Sequence, residues 1–437
     1  MHLDTADTSS TDPLPGDDAP DQGIDAPDMQ LFVFALFFIF GGITSLNDVI
    51  IPKLKELFTL GYAQAMLVQS AFFAAYFLVS IPAALIVRRK GYMRTAALGV
   101  LTMACGCLLF IPASKSGMFG VFLGALFVLA AGITIVQVVA NPLISLLGPA
   151  RTAHSRLTFA QAFNSLGTTI FPYVGSILIL GSLSTVDMTT LAGDALAAYR
   201  QQETQIVVQT YLGLAAALAL VAAVIWWRRN RLPHVVGPPT NFFQAFDLLR
   251  RRRFGLGALC IFLYVGAEVA IGSLIVNYLM QASTMGLEEQ AAGKHVTFYW
   301  GGALVGRFIG AWLLRLVSPG KLLCAVAGAA ITLIVVSSQA QGALSGWALL
   351  AIGVCNSSMF PTIFTLASEG LGARAAEGSG VICVAIVGGA IVPPLTGLLA
   401  DFTDLRTALF LPAACYLVIA SFGVYARRPA TAGTTQA

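Results

Sequence analysis

Asp48 is the only charged residue between Leu31 and Ile51, a stretch made mostly of apolar and small residues. The stretch is long and apolar enough to cross a lipid bilayer as a helix. A carboxylate at that depth costs about 2.5–3.5 kcal/mol on insertion scales, and such residues typically serve protons, ions or substrates. Asp48 is therefore a candidate for coupling a cation to the movement of a solute, and Asn47 beside it is a candidate ligand.

Amide side chains form a second candidate group. Gln161, Asn164 and Thr168 stand at i, i+3 and i+7, and Gln137 and Asn141 stand at i and i+4. Each spacing places its residues on one face of a helix. An amide offers two donors and an acceptor, which suits hydroxyl groups that both donate and accept. The pattern predicts a sugar site; the alternative is that these side chains bridge neighbouring helices, a contact worth about 0.6 kcal/mol.

The C-terminal half contributes three polar residues inside apolar segments. Glu268 is a second candidate carboxylate, either for coupling or for binding a sugar, and Asn356 is a candidate ligand. For Arg307 we favour a tie between helices over substrate contact. Nearby rings could stack on a sugar, or belong to the core or to an aromatic belt: Tyr264, Tyr299 and Trp300.

Composition defines the elements that must position these residues. Hydrophobic residues make up 57% of the 437, charged residues 11%, and the mean hydropathy is +0.80. These values predict an all-α membrane protein of many spans. We predict twelve transmembrane helices, at roughly 31–52, 63–87, 95–114, 118–147, 157–182, 206–227, 254–281, 296–316, 322–339, 345–367, 375–399 and 406–426.

A basic segment at 228–253 divides these spans into six and six. Pro142 in span four and Pro361 in span ten occupy similar places, and we expect a structural or gating role for both. Two parallel six-helix repeats are typical of a transporter, with the substrate site between the halves near the midplane. The predicted units are an acidic disordered tail (1–30), an N-terminal bundle (31–227), a basic linker (228–253), a C-terminal bundle (254–426) and a short tail (427–437).

Most of the 25 Lys and Arg residues fall on one side of the predicted spans. Since cytoplasmic loops carry an excess of basic residues, both termini are predicted to lie in the cytoplasm of a bacterial cell, with the protein in its inner membrane. The basic rim indicates contact with anionic lipids rather than with nucleic acid.

The sequence lacks the residue patterns that several other kinds of chemistry require. No phosphate-binding P-loop is present, so direct use of ATP is disfavoured. The seven cysteines are scattered through the spans and form no metal or disulfide pattern. No cofactor is expected besides a co-transported proton or sodium ion. The histidines are expected in tails or loops, which argues against an enzyme: His2, His154, His234 and His295.

Strings along almost the whole chain resemble the fucose:proton symporter family of the major facilitator superfamily, in its glucose/galactose transporter branch. The most informative are LNDVIIPKLK, GITIVQVVANPLISLLGP, SRLTFAQAFNSLGTTI, FLYVGAEVAIGSLIVNYL and CNSSMFPTIFTLASEGLG. The resemblance implies two pseudosymmetric bundles and cation-coupled import of a sugar, with Asp48 at a coupling position. It also implies that Gln137 replaces a glutamate of the fucose symporter, while Glu268 replaces a glutamine.

A further departure lies between spans two and three, where the superfamily usually has an Asp. Here the chain reads Val87-Arg88-Arg89-Lys90-Gly91, so the latch built on that Asp is not expected.

The sequence thus predicts a hexose importer of the glucose/galactose type, driven by protons or sodium and functional as a monomer. N-acetylglucosamine, fucose, mannose and fructose stay open as substrates, because single groups distinguish them. An efflux antiporter of the same fold and a membrane enzyme acting on lipid-linked sugars are the alternatives.

Overall fold

The computed structural model describes residues 26–57, 62–116, 118–175, 194–231 and 242–427. Within these ranges it does not describe the side chains of 27, 46–57, 62–70, 114–115, 172–175, 194–204, 206–207, 242–243 and 289–290. The apolar segments are helical, because a helix satisfies its own backbone hydrogen bonds where no water is present. The helices of the first half are α1 (Pro27–Leu57), α2 (Tyr62–Lys90), α3 (Tyr92–Ser116), α4 (Phe119–Leu146), α5 (Ala153–Gly175) and α6 (Asp194–Trp227).

The second half repeats this arrangement with interrupted helices. Its helices are α7 (Arg252–Met280), α8 (Glu289–Leu313), α9 (Pro319–Gln339), α10 (Ala343–Asn356), α11 (Met359–Ser368), α12 (Ala375–Ala385), α13 (Gly388–Phe402), α14 (Leu405–Ala408) and α15 (Phe410–Ala426). Counting the pairs α10/α11, α12/α13 and α14/α15 as single rods, the described helices form twelve rods, and ten segments are long and apolar enough to cross a membrane.

Three breaks interrupt spans that the sequence predicted as continuous, one of them at Leu409 between α14 and α15; the other two lie in the middle of their spans. Of these two, the first falls at Ser357 and Ser358, just before Pro361, and the second at Ile386 and Val387. Proline has no backbone N–H, so Pro361 cannot bond the carbonyl of Ser357 one turn earlier. That carbonyl accepts a bond from Arg307 Nε instead, at 3.4 Å. Pro142, by contrast, lies inside the continuous helix α4.

Glycines allow several helices to approach closely. A Cβ at Gly167 in α5 would lie 2.1 Å from the carbonyl oxygen of Phe38 in α1. A Cβ at Gly353 in α10 would lie 2.0 Å from the carbonyl oxygen of Tyr299 in α8. Small residues at such contacts stabilise helix pairs in a membrane, where packing replaces the hydrophobic effect.

The two halves meet at the end of the molecule that carries Arg88–Lys90 and Arg250–Arg253, which we call the basic end. There Arg88 of α2 pairs with the fully buried Glu377 of α12, and Ser379 Oγ donates to the carbonyl of Val138 at 2.9 Å. On the other side of the interface, Ser155 Oγ donates to the carbonyl of Ala311 at 2.7 Å. These contacts close the basic end.

The segment between the halves also docks at the basic end. Residues Phe242–Arg250 form a 3-10 helix whose Ala245 and Leu248 are buried. Asp247 accepts a bond from Arg374 Nη2 at 2.6 Å. This hydrogen bond from the guanidinium lowers the pKa of the Asp247 carboxyl below its ordinary value.

The prediction that the histidines avoid helices is wrong for two of the four. His154 lies in the first turn of α5, where it is buried against Thr365 and 3.4 Å from Glu369, and His295 lies within α8. The sequence around His154 did not reveal this position, because its partners Thr365 and Glu369 come from the other half.

Candidate functional site

A cavity of about 260 Å³ lies between the two halves. Drug-sized ligands occupy pockets of about 300–1,000 Å³, so this volume suits a smaller molecule. Polar groups from both halves line it together with apolar and aromatic side chains: Phe40, Thr44, Phe72, Phe73, Tyr76, Gln137, Gln161, Asn164, Thr168, Tyr264, Val265, Glu268, Arg307, Phe360 and Ile386.

The amide face that the helical spacing predicted lies on this cavity. Gln161, Asn164 and Thr168 of α5 line it together, and Gln137 of α4 lies beside them. Asn164 Nδ2 donates to the carbonyl of Phe37 in α1, at 3.4 Å, which ties this face to the first helix. The N-terminal half therefore presents neutral donors and acceptors.

Glu268 of α7 provides the cavity's carboxylate among the described residues, and a hydroxyl holds it in place. Tyr264 Oη, one turn earlier on α7, donates to Glu268 Oε1 at 2.8 Å and lies 3.0 Å from the carbonyl of Asn356. That carbonyl is freed by the break between α10 and α11. The position of Glu268 thus depends on a neighbouring helix as well as on its own.

Asn356, predicted as a sugar ligand, does not line the cavity. Its Nδ2 donates to Tyr299 Oη at 2.8 Å, and its Oδ1 accepts from Tyr416 Oη at 2.8 Å. Tyr299 Oη in turn donates to the backbone carbonyl of Glu268 at 3.4 Å. Asn356 therefore lies behind Glu268, with its amide nitrogen and its amide oxygen each bonded to a tyrosine.

Asn141, also predicted as a ligand, is fully buried one turn beyond Gln137 and outside the lining. Neither amide atom has a hydrogen-bond partner in the described structure. Helical spacing shows that Asn141 shares a face with Gln137, but it does not show how far the cavity extends along that face. The side chains of Asn47 and Asp48 lie outside the described residues, and only their backbone in α1 is described.

Arg307 of α8 lines the cavity and crosses to the other half. Its Nη1 donates to the carbonyl of Gln161 at 3.0 Å and also bonds Ser165 Oγ, both on α5. Its Nε bonds Ser357, as described above. The guanidinium therefore joins α8, the α10–α11 break and the opposite half, while its place on the cavity also allows contact with a substrate.

The aromatic wall was largely missed from the sequence. Phe72 and Tyr76 stand at i and i+4 on α2, a spacing that could have shown their common face, with ring centroids 5.8 Å apart. Of the three rings singled out earlier, Tyr264 lines the cavity and Tyr299 supports it. Trp300 is 47% exposed on the outer surface, where a lipid-facing belt residue would lie.

Two helical halves, a central polar cavity and closure at one end define a membrane transporter. The family model described as Major Facilitator Superfamily matches residues 33–386. The chain belongs to this superfamily, and it is therefore a transporter and not an enzyme.

Relatives extend this finding over most of the chain. The glucose/galactose transporter of Brucella abortus biovar 1 is 46% identical over 389 residues, which cover 89% of this chain and 92% of that one. The L-fucose-proton symporter of Escherichia coli K12 is 33% identical over 411 residues, 91% of this chain and 92% of that one. The crystal structure of the E. coli fucose:proton symporter has a TM-score of 0.84 at 31% identity, covering 92% of this chain and 98% of that chain.

Proposed function

We propose that this protein imports a hexose of the glucose/galactose type together with protons. The observation that carries the proposal is the cavity between the halves, where amides face a carboxylate across a volume suited to a monosaccharide. Sugar hydroxyls donate and accept, so this mixture of groups can satisfy them. The names of the relatives at 46% and 33% identity support the substrate class and the proton.

Sidedness follows from the distribution of charge. The basic end is assigned to the cytoplasm of a bacterial inner membrane, with both termini there, because basic residues are retained on the cytoplasmic side. The cytoplasmic half of the path is then closed in this conformation by the contacts of α2 with α12 and of α5 with α8. Release of sugar inward requires these helices to separate, and Arg307 must leave Gln161 and Ser165 when they do.

The cavity distinguishes this function from drug efflux. Efflux of bulky apolar ligands is favoured by a wide apolar chamber, whereas this cavity is small and carries Gln137, Gln161, Asn164 and Glu268 on its walls. Because the cavity lies between the two halves of a single chain, we propose a functional monomer.

The test of coupling is Asp48→Asn. We expect this variant to lose accumulation of labelled hexose against a gradient, because an amide cannot bind and release a proton, while exchange of sugar across the membrane continues. The measurement is uptake by proteoliposomes under an imposed proton gradient, compared with counterflow. Accumulation equal to that of the wild-type protein would remove Asp48 from the coupling role.

The same vesicles separate protons from sodium. Uptake at fixed pH with and without sodium should be equal, while collapse of the proton gradient should abolish accumulation. If no hexose shows counterflow in wild-type vesicles, the proposed substrate class is wrong.

A further inference from the structure

A buried tyrosine holds one of the cavity's amides in a fixed orientation. Tyr76 Oη in α2 donates to Gln137 Oε1 in α4 at 2.8 Å. Both residues lie on the cavity, and both are more than nine-tenths buried, with exposed fractions of 6% and 8%. A hydrogen bond so shielded from water holds its partner firmly, because breaking it would leave a buried group unpaired.

This bond determines what Gln137 can offer to a ligand. A glutamine amide has one acceptor oxygen and two N–H donors. Tyr76 takes one lone pair of the oxygen and holds it toward α2, and no described residue bonds Nε2, so Nε2 is the part of the amide that can donate into the cavity. Gln137 therefore meets a ligand as a donor, and the ligand atom opposite must accept.

We propose that Tyr76 is a specificity-determining residue that orients Gln137 so that the site recognises one sugar hydroxyl as a hydrogen-bond acceptor. The inference rests on the proposed transport of a hexose. It adds Tyr76 to the site and specifies that Gln137 donates the hydrogen bond to the sugar. Tyr76 acts through Gln137, so it is a positioning residue rather than a direct ligand.

Deoxy and deoxyfluoro sugars test this polarity. Carbon-bound fluorine accepts a hydrogen bond weakly and donates none, whereas a deoxy position does neither. We expect one hydroxyl position of the transported hexose at which the wild-type protein binds the fluoro analogue several-fold better than the deoxy analogue, measured as competition against labelled hexose in counterflow. In Tyr76→Phe that preference should disappear, because the freed amide can turn its carbonyl toward the ligand.

Transport kinetics give a second readout. Tyr76→Phe should raise the KM for hexose by about 2- to 10-fold with little change in the maximal rate, the range for one lost hydrogen bond. In a Gln137→Ala background the same change should have no further effect, because residues that act together are non-additive. If Tyr76 had only a structural role, Tyr76→Phe would raise the KM in that background as well.

Tyr211→Phe is the matched control. Tyr211 is a buried tyrosine of α6 in the same half, stacked on Phe110, and its hydroxyl has no hydrogen-bond partner among the described residues. Its removal should leave KM and the fluoro preference unchanged.

Three results would overturn the proposal while leaving hexose transport intact. These are a wild-type protein that shows no fluoro preference at any hydroxyl, a Tyr76→Phe variant that keeps the preference, and effects of Tyr76→Phe and Gln137→Ala that multiply. Absence of counterflow with every hexose would instead reject the proposed function itself.

Discussion

The two halves of the cavity offer different chemistry to a sugar. The N-terminal side presents the amides of Gln137, Gln161 and Asn164, and the C-terminal side presents Glu268 with Arg307 nearby. Position 137 is a glutamine in this chain and so carries no charge. Glu268 is therefore the one carboxylate in the described lining of the cavity. If coupling requires an acid besides Asp48, Glu268 is in the right place to supply it.

Glu268→Gln tests that role. Glutamine can still accept the bond from Tyr264 Oη, but it cannot carry a proton. We expect counterflow to survive in this variant with KM changed by only a few-fold, while accumulation under a proton gradient falls toward the equilibrium level. The measurement compares both assays in the same vesicles.

Gln161→Ala is the comparison for this variant. It removes an amide from the cavity and should raise KM without loss of coupling, since no titratable group changes. A Glu268→Gln variant that behaved in the same way, with weaker binding and full accumulation, would make Glu268 a sugar ligand only.

Some of these site residues could be predicted from the sequence and others could not, for a physical reason. Helical spacing determines which residues share a face, so Gln161, Asn164 and Thr168 could be grouped before the structure was known. Spacing carries no information about which helix packs against that face. The sequence therefore did not show that the Asn356 amide bonds two tyrosines behind Glu268, or that Tyr76 bonds Gln137 on the cavity wall.

Among the elements, the broken helices of the second half position the C-terminal wall. The interruption before Pro361 frees two carbonyls, of which that of Asn356 meets Tyr264 and that of Ser357 meets Arg307. Proline was recognised in the sequence, but a continuous proline-containing helix such as α4 and a broken one cannot be distinguished by composition. Neighbouring donors decide whether a break is tolerated.

The close packing of α8 on α10 should also determine both the stability of the protein and the geometry of the site. In Gly353→Ala the new Cβ would clash with the carbonyl oxygen of Tyr299, so α8 and α10 must move apart. That movement would disturb the hydrogen bond between Asn356 and Tyr299. We expect a loss of about 1–3 kcal/mol in unfolding free energy, the range for overpacked sites, together with a higher KM. Thermal unfolding in detergent and counterflow measure the two effects.

Gly328→Ala is the control for this substitution. Gly328 lies in α9, and a Cβ there meets nothing within 4 Å. Alanine is favoured over glycine in a helix by about 1 kcal/mol, so this variant should be as stable as the parent protein or more stable. Equal melting temperatures for the two variants would contradict the packing argument.

For the whole molecule, the central question is what keeps the basic end closed. The superfamily's usual Asp is absent after span two, so the latch built on that Asp was not expected. The structure has an ion pair between the halves instead, in which Arg88 of the first half pairs with Glu377 of the second. Arg374 joins the same carboxylate at 2.8 Å and connects it to Asp247 of the linker.

Loss of the Glu377 charge should therefore open this end. Removing one partner of a buried ion pair leaves the other charge uncompensated. We therefore expect the closed state to lose about 3–5 kcal/mol of stability. The reporter is a cysteine at position 379, since Ser379 is fully buried between the halves. In a Ser379→Cys protein, we expect Glu377→Gln to increase labelling by a water-soluble maleimide from the basic end several-fold.

Asp404→Asn provides the control at the opposite end, where Asp404 caps the short helix α14 by accepting from the backbone N–H groups of Arg406 and Thr407. That substitution removes a carboxylate without touching the interface, so labelling at position 379 should not change. If Glu377→Gln left labelling at the parental rate, the ion pair would not be what holds the halves together, and closure would rest on the packing of α2 against α12 and of α5 against α8.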